Sequence, residues 1–221
     1  MSINKENYQK IVQELNDKAT LVAVSKTKPV TDIQELYNMG QRDFGENYVQ
    51  ELVDKYEQLP KDIRWHFIGH LQSNKVKYIA PFVHLIHGVD SLNLLKEINK
   101  QAVKHNRIID CLLQIHIAKE ETKFGFNESE LNELPSLNEL ENIRVAGLMG
   151  MASFSDDMNL VRSEFKNLKA IFDSKAQLST INFQLSTISM GMSSDYKIAL
   201  EEGSNMVRIG SLLFGERNYN K

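Results

Sequence analysis

Residues 21–59 read LVAVSKTKPVTDIQELYNMGQRDFGENYVQELVDKYEQL, and they contain two consecutive copies of one pattern. In each copy a short strand-like run, the apolar LVAVS (21–25) or the more polar DFGE (43–46), precedes a longer segment with helical periodicity. A repeated strand–helix unit predicts parallel strands, because parallel neighbours need a crossover connection.

The same alternation continues to the end of the chain. Further strand-like runs are WHFIG (65–69), HLIHGVD (84–90), CLLQIHI (111–117), IRVAGLMGM (143–151), FQLS (183–186) and MVRIG (206–210). Eight such units in 221 residues favour one domain, residues 1–221, folded as a (β/α)8 TIM barrel with an extra N-terminal helix near Ile3–Asp17. An open doubly wound sheet is the alternative, although neither G-x-G-x-x-G after the first strand nor a P-loop motif is present.

Helix starts are predicted where a capping residue precedes a periodic segment. Thr31 with Gln34 predicts the start of the first crossover helix, and Ser73 and Ser193 are predicted N-caps further along. The N-terminal helix should bury one face, made of Ile3, Ile11, Val12 and Leu15.

Composition and charge exclude several classes of protein. With 26 basic and 29 acidic residues the net charge is −3, so the chain lacks the positive surface that grips nucleic-acid backbones. One cysteine, Cys111, excludes an internal disulfide, and its place at the start of a strand predicts a buried structural thiol. We find neither a signal-peptide pattern nor a run of 18 apolar residues, and therefore expect a cytoplasmic protein that binds neither membrane nor nucleic acid.

Polar residues follow the predicted strands, at the rim where barrel enzymes carry their working groups. Lys26 lies on the same side of its strand as Val22 and Val24; it is either a solvated charge or an amine poised to form a Schiff base. Arg208, inside an apolar strand, needs an anionic or acceptor partner, of which a rim carboxylate is the simplest. Gly210-Ser211 directly after it indicates either a phosphate contact or a simple tight turn.

Metal and nucleophile sites are poorly supported. His66 and His70 are four residues apart but lie in a strand-like run, where that spacing does not bring two ligands together. The segment Ser189–Ser193, SMGMS, is not the G-x-S-x-G nucleophile elbow. We therefore predict no metal site.

Several blocks of sequence together resemble the pyridoxal 5′-phosphate (PLP) homeostasis protein family, whose barrel is similar to the N-terminal domain of alanine racemase. The blocks are LVAVSKTKP (21–29), FGENYVQE (44–51), WHFIGHLQSNK (65–75), GLM (147–149), LSTISMGMSSDY (185–196) and MVRIGSLLFGERNY (206–219). The resemblance implies that Lys26 holds PLP as an internal aldimine and that Arg208 faces the pyridine nitrogen. It also implies a phosphate cradle and two residues near the ring: Ser189, Gly191, Gly210 and Ser211 for the phosphate, and Asn47 and His66 for the ring.

The same resemblance implies a carrier of PLP more than a catalyst. An arginine at the pyridine nitrogen cannot give the ring a proton as an acid would, so the ring is a poorer electron sink. Alanine racemases add a β-rich domain whose tyrosine is the second base; we expect none here, and nothing in the sequence places Tyr219 over the cofactor. We therefore expect a monomer that buffers PLP or delivers it to PLP-dependent apoenzymes.

Three alternatives and one residue role stay open on sequence alone. The alternatives are a slow racemase or lyase using Lys26 as sole base, an aldolase in which Lys26 binds its substrate directly, and an interaction protein with a vestigial pocket. Lys28 either assists entry of an anionic cofactor or is merely solvated.

Overall fold

Eight parallel strands, β1 to β8 in chain order, pair with their neighbours and close through β8 and β1 into a barrel. The computed structural model describes residues 3–119, 124–133, 137–177 and 183–216. The strands are β1 Thr20–Val24, β2 Asp43–Glu46, β3 Arg64–Phe67, β4 Leu85–Val89, β5 Ile109–Ile115, β6 Ile143–Gly150, β7 Phe183–Ser189 and β8 Met206–Ile209. The predicted barrel is confirmed, and the pairing of β1 with β8 excludes the open sheet.

Helices surround the barrel and connect its strands. In the described residues they are α1 Lys5–Leu15, α2 Val30–Asn38, α3 Val49–Gln58, α4 Val76–Ile79, α5 Leu92–Lys104, α6 Glu128–Asn132, α7 Met158–Ala176, α8 Tyr196–Glu201 and α9 Ser211–Phe214. None of the helices in these ranges is long and apolar enough to span a bilayer. Tyr219 lies outside the described residues.

Helix α1 is the predicted N-terminal addition, and it buries a slightly different face from the one expected. Tyr8, Ile11 and Leu15 are buried, whereas Val12 is 44% exposed. The buried positions follow the i, i+3, i+7 spacing of one helical stripe. Val12 is the next residue after Ile11, so its side chain is rotated about 100° around the helix axis from that of Ile11. The prediction for Val12 was wrong.

The predicted caps of three helices are also wrong, because a different residue precedes each helix start and none of those residues makes a side-chain cap hydrogen bond. Helix α2 begins directly after Pro29, so Thr31 lies inside its first turn. Ser73 opens a 3-10 turn ahead of α4. Ser193 lies before α8, which Asp195 precedes directly, and the Ser193 hydroxyl accepts a hydrogen bond from the Gly210 amide at 3.2 Å.

Two apolar layers hold the barrel together and leave one end polar. Between the strands and helices lie large buried side chains, including Phe44, Trp65, Phe67 and Phe165, together with Cys111, whose predicted burial is confirmed. Burial raises the pKa of the Cys111 thiol, so it is inert in this layer. Inside the barrel a smaller apolar plug consists of Val22, Leu85, Leu112, Met149 and Met206. The side chains above this plug form the site.

Candidate cofactor site

A cavity of about 240 Å³ opens at the carboxyl ends of the strands. Its described lining residues are Val24, Lys26, Lys28, Asn47, Ile68, Met151, Met192, Arg208, Gly210, Ser211 and Gly215. Five of the eight residues predicted from sequence lie in this wall: Lys26, Asn47, Arg208, Gly210 and Ser211. The ionisable side chains in this lining are all basic, so the cavity is suited to a small anionic ligand.

A tight turn after β1 presents Lys26 to the cavity. The Lys28 amide donates to the Ser25 carbonyl at 3.0 Å, and Thr27 between them adopts a left-handed backbone with φ of +63°. The Thr27 amide donates to the Glu51 carboxylate at 2.6 Å, which holds this unusual residue in place. The backbone from which the Lys26 side chain enters the cavity wall is therefore fixed on both sides.

A buried ion pair between β2 and α3 supports the same turn from below. Lys55 Nζ donates to the Ser25 carbonyl at 2.7 Å, to Glu46 Oε1 at 2.7 Å and to Glu51 Oε1 at 2.6 Å. Burial raises the pKa of Glu46 to about 7, although the Lys55 ammonium opposes this shift. Sequence reasoning missed this group; its signal was a glutamate at the end of an apolar strand, which requires a partner when buried.

Arg208 forms the floor of the cavity and is only 4% exposed. Its Nη1 donates to the Ser189 carbonyl at 2.9 Å and to Ser189 Oγ at 2.7 Å, and its Nη2 donates to the Gly150 carbonyl at 3.0 Å. Burial lowers the pKa of the guanidinium to about 10, with Asp195 acting in the opposite direction. The side chain therefore stays charged at neutral pH, and a hydroxyl and two backbone carbonyls accept its hydrogen bonds within the described residues.

Asn47, Gly210 and Ser211 add neutral polar groups to the same wall. Asn47 Oδ1 is buried and lacks a hydrogen-bond partner within the described part of the chain, so it can accept a hydrogen bond from a ligand. At Gly210 an added Cβ would lie 3.3 Å from the Val24 carbonyl oxygen, so glycine lets the two strand ends approach closely. These observations fit a ligand that can donate a hydrogen bond to Asn47 Oδ1 and that carries an anionic group.

Lys28 is also part of the wall and is not simply solvated. Its Nζ donates to the carbonyls of Phe214 and Gly215 at 2.8 and 3.2 Å. The ammonium therefore ties the end of α9 to the β1 turn and adds a second fixed cation beside the cavity.

The structure does not bring the other three predicted residues to the cavity wall. His66 is buried in the barrel core between Asp43 and His87, not at the rim. Ser189 is the last residue of β7, which is longer than predicted, and it lies behind Arg208. The Gly191 carbonyl accepts a hydrogen bond from the Arg208 amide at 3.0 Å. These residues support the wall through Arg208, and a direct contact between them and a cofactor stays a prediction.

Asp43, His66 and His84 are close enough to hold a metal ion, with ligand atoms within 4.8 Å of one another. Arg64 Nε already donates to Asp43 Oδ1 at 2.7 Å. The positive charge of this guanidinium therefore lies beside the place that a metal cation would occupy, and it would repel the cation. The prediction that the chain binds no metal stays a prediction.

Comparisons with known proteins agree on one class. The family described as alanine racemase, N-terminal domain, matches residues 4–218. The pyridoxal phosphate homeostasis protein of Aquifex aeolicus (strain VF5) is 45% identical over 203 residues, 91% of this chain and 88% of that protein. PipY of Synechococcus elongatus PCC7942, solved without PLP, superposes with a TM-score of 0.89 at 34% identity over 95% of this chain and 99% of PipY. Its structure with PLP bound gives 0.86 at 33% identity, with the same coverage.

Fold and site thus define a barrel of the alanine racemase N-terminal domain class. Within that class, the chain belongs to the pyridoxal phosphate homeostasis protein family. The resemblance drawn from the sequence blocks is confirmed at the level of the family.

Proposed function

We propose that this protein binds PLP in the cavity above Arg208, with Lys26 as the amine that holds it, and that it acts in PLP homeostasis. The observation that carries the proposal is the meeting of Lys26, Asn47, Arg208 and Ser211 in one cavity with cationic walls. The relative whose structure is described with PLP bound shares this fold along nearly its whole length, which supports the same ligand here.

Each end of the cavity has a distinct task in this proposal. PLP supplies an aldehyde, which forms a C=N bond with an amine as water leaves. Lys26 provides that amine, and the turn from Ser25 to Lys28 fixes the backbone that carries it. Ser211 and the Lys28 ammonium provide a donor and a positive charge for a phosphate, with which charge-assisted hydrogen bonds are strong. Asn47 Oδ1 accepts from the ligand the hydrogen bond that the chain leaves unmade.

The state of Arg208 favours a carrier over a catalyst. A buried guanidinium that is already charged cannot accept a proton, so its role is to donate hydrogen bonds and to hold its position. A pyridine ring whose nitrogen faces an arginine gains no proton there. It therefore stabilises a carbanion less well than a pyridine ring whose nitrogen faces an acid. We propose that the protein buffers PLP and supplies apoenzymes, without robust racemase activity.

The visible spectrum of the purified chain after incubation with PLP tests the proposal. We expect an imine absorption band, and borohydride reduction followed by peptide mapping should place a pyridoxyl group on Lys26. Lys26→Ala should lose the band but retain weaker binding, because the rest of the wall is intact. Lys18→Ala, at the opposite end of the barrel, is the matched control and should behave as the wild type.

Two results would contradict the proposal. A preparation without the band, whose reduced digest carries no modification on Lys26, would remove the covalent link. Racemisation or cleavage of an amino acid at ordinary enzymatic rates would replace the carrier with the alternative of a PLP-dependent enzyme using Lys26 as sole base.

A further inference from the structure

A line of hydrogen-bonded side chains crosses the barrel core from the cavity floor to the opposite end. Arg208 donates to Ser189 Oγ at 2.7 Å, and Ser189 Oγ lies 3.2 Å from His87 Nδ1. His87 Nε2 lies 2.9 Å from His66 Nδ1, and His66 Nε2 lies 2.9 Å from Asp43 Oδ1. Because these residues come from β8, β7, β4, β3 and β2, the line exists only in the closed barrel.

The two ends of this line fix its direction. Arg208 has donors only, so Ser189 Oγ must accept from it. At the other end burial acts to raise the pKa of Asp43, but hydrogen bonds from Arg64 and His66 prevail and lower it to about 2. The Asp43 carboxylate is therefore ionised at neutral pH and can only accept, which makes His66 Nε2 a donor.

The groups between the ends then have one arrangement that adds no charge. Burial holds the pKa of His87 well below its usual value, so this ring is neutral, with one donor and one acceptor nitrogen. If His87 donated to Ser189 through Nδ1, His66 would have to carry protons on both nitrogens. With both rings neutral, the donors run from Ser189 Oγ to His87 Nδ1 and from His87 Nε2 to His66 Nδ1.

We propose that Ser189, His87, His66 and Asp43 form a one-way hydrogen-bond relay whose function is to position the Arg208 guanidinium under the cofactor. The relay commits the Ser189 proton to His87, which leaves a lone pair of Ser189 Oγ directed at Arg208. All four are positioning residues, because none of them lines the described cavity wall. The part of this inference that concerns the cofactor rests on the proposed function.

The direction of the relay can be measured on the chain without PLP. Nitrogen-15 NMR of histidine-labelled protein near neutral pH distinguishes a ring nitrogen that carries a proton from one that does not. We expect both His66 and His87 to be protonated on Nε2 and bare on Nδ1. A proton on His87 Nδ1 would overturn the relay, whatever the protein does with PLP.

The effect on the cofactor is tested with a pair of substitutions at one position. His87→Phe removes the acceptor and the donor but keeps a ring, whereas His87→Gln keeps an acceptor oxygen and a donor nitrogen. We expect His87→Phe to weaken PLP binding about three- to tenfold, as for one lost hydrogen bond, and to shift the pH midpoint of the visible band. His87→Gln should restore most of both properties.

His84→Phe is the matched control, because its ring lies 5.4 Å from that of His66 but outside the relay. It should bind PLP as the wild type does. If His87→Phe also matched the wild type in affinity and in the pH midpoint, positioning by the relay would be refuted while the proposed function stood. If wild-type protein showed no band, the proposed function would fail, and the NMR result would still decide the relay's direction. That measurement uses only unsubstituted protein, so a variant that fails to fold does not remove the test.

Discussion

Gly191 shows how a residue beside the site can be required by the backbone alone. Its φ is +95°, a region that side chains with a Cβ rarely adopt, and an added Cβ would lie 2.6 Å from the Ala199 Cβ of helix α8. We expect Gly191→Ala to lower the free energy of unfolding by about 2–4 kcal/mol, from the backbone strain and the overpacking together. Urea denaturation followed by circular dichroism measures this loss.

Gly40 provides the control for that substitution. Its φ is +104°, yet an added Cβ would meet nothing within 4 Å. Gly40→Ala therefore carries only the backbone strain, about 1–2 kcal/mol. Equal losses for the two variants would show that the contact with α8 contributes nothing.

Lys28 is the residue whose role the sequence left open, and its position predicts an electrostatic effect. The partly buried ammonium lies in the cavity wall, held by two backbone carbonyls. We expect Lys28→Met to weaken PLP binding about fivefold at low salt, the order expected for about 1 kcal/mol of attraction between partly exposed charges. Equilibrium dialysis at two salt concentrations checks this, because screening should reduce the difference.

Lys28→Arg keeps the charge and should bind PLP nearly as the wild type does. If Lys28→Met and Lys28→Arg lost affinity equally, the effect would come from the packing of the α9 end and not from charge.

At the scale of elements, β2 and α3 are joined by the buried pair of Glu46 and Lys55. Removing the ammonium leaves a buried carboxylate without its charge partner. We expect Lys55→Met to lower the free energy of unfolding by about 3 kcal/mol at pH 8, above the pKa of about 7, where the wild-type carboxyl is ionised and paired. The loss should shrink toward pH 5, since the carboxyl, whose pKa is already raised, then becomes neutral by taking a proton. Urea unfolding at pH 5 and pH 8 measures both effects.

The double variant Glu46→Gln/Lys55→Met separates the charge effect from lost packing. With both charges removed, most of the stability should return, and the double variant should lack the fall in stability between pH 5 and pH 8 that the raised pKa of Glu46 gives the wild type. A double variant as unstable as Lys55→Met would assign the loss to the lysine's aliphatic stem.

Element positions were predictable where apolar pattern alone decides them, and less so where hydrogen bonds compete. The apolar run LVAVS (21–25) lies within one residue of β1, Thr20–Val24, whereas DFGE forms β2 with the predicted bounds although two of its four buried residues are acidic. Strand β7 continues through Thr187 and Ile188 to Ser189, beyond the predicted FQLS. Its first five residues are only half buried or exposed, so the apolar signal ends before the strand does. Ser193 failed as a cap because the folded chain offers it the Gly210 amide instead.

At the scale of the whole molecule, the rim of the site was predictable because parallel strands place their carboxyl ends together. Lys26 and Arg208, nearly the whole chain apart in sequence, meet in one cavity for that reason. The relay was not predictable, because His87 in HLIHGVD looks like an ordinary member of a buried strand. Its partner His66 was assigned to the rim, since nothing in a sequence gives the depth of a side chain inside a barrel.

The far end of the relay gives the whole molecule a measurable pH dependence. The pKa of Asp43 is lowered from 3.8 to about 2 in the folded protein, against the effect of burial, through hydrogen bonds from Arg64 and His66. For a carboxyl with a lowered pKa, the stabilisation is fully present above its unfolded value and disappears as pH falls through the folded value. The difference in unfolding free energy between wild type and Asp43→Asn should therefore fall by about 2 kcal/mol between pH 5 and pH 2.

Thermal or urea unfolding of both proteins across this range provides the measurement, with Asp54→Asn as the control. Asp54 is an exposed carboxylate on α3, whose one described hydrogen bond is accepted from Gln50 and is available to asparagine too. Its difference from the wild type should change much less with pH. A flat difference for Asp43→Asn would mean that this carboxyl gains nothing from Arg64 and His66 in the folded chain.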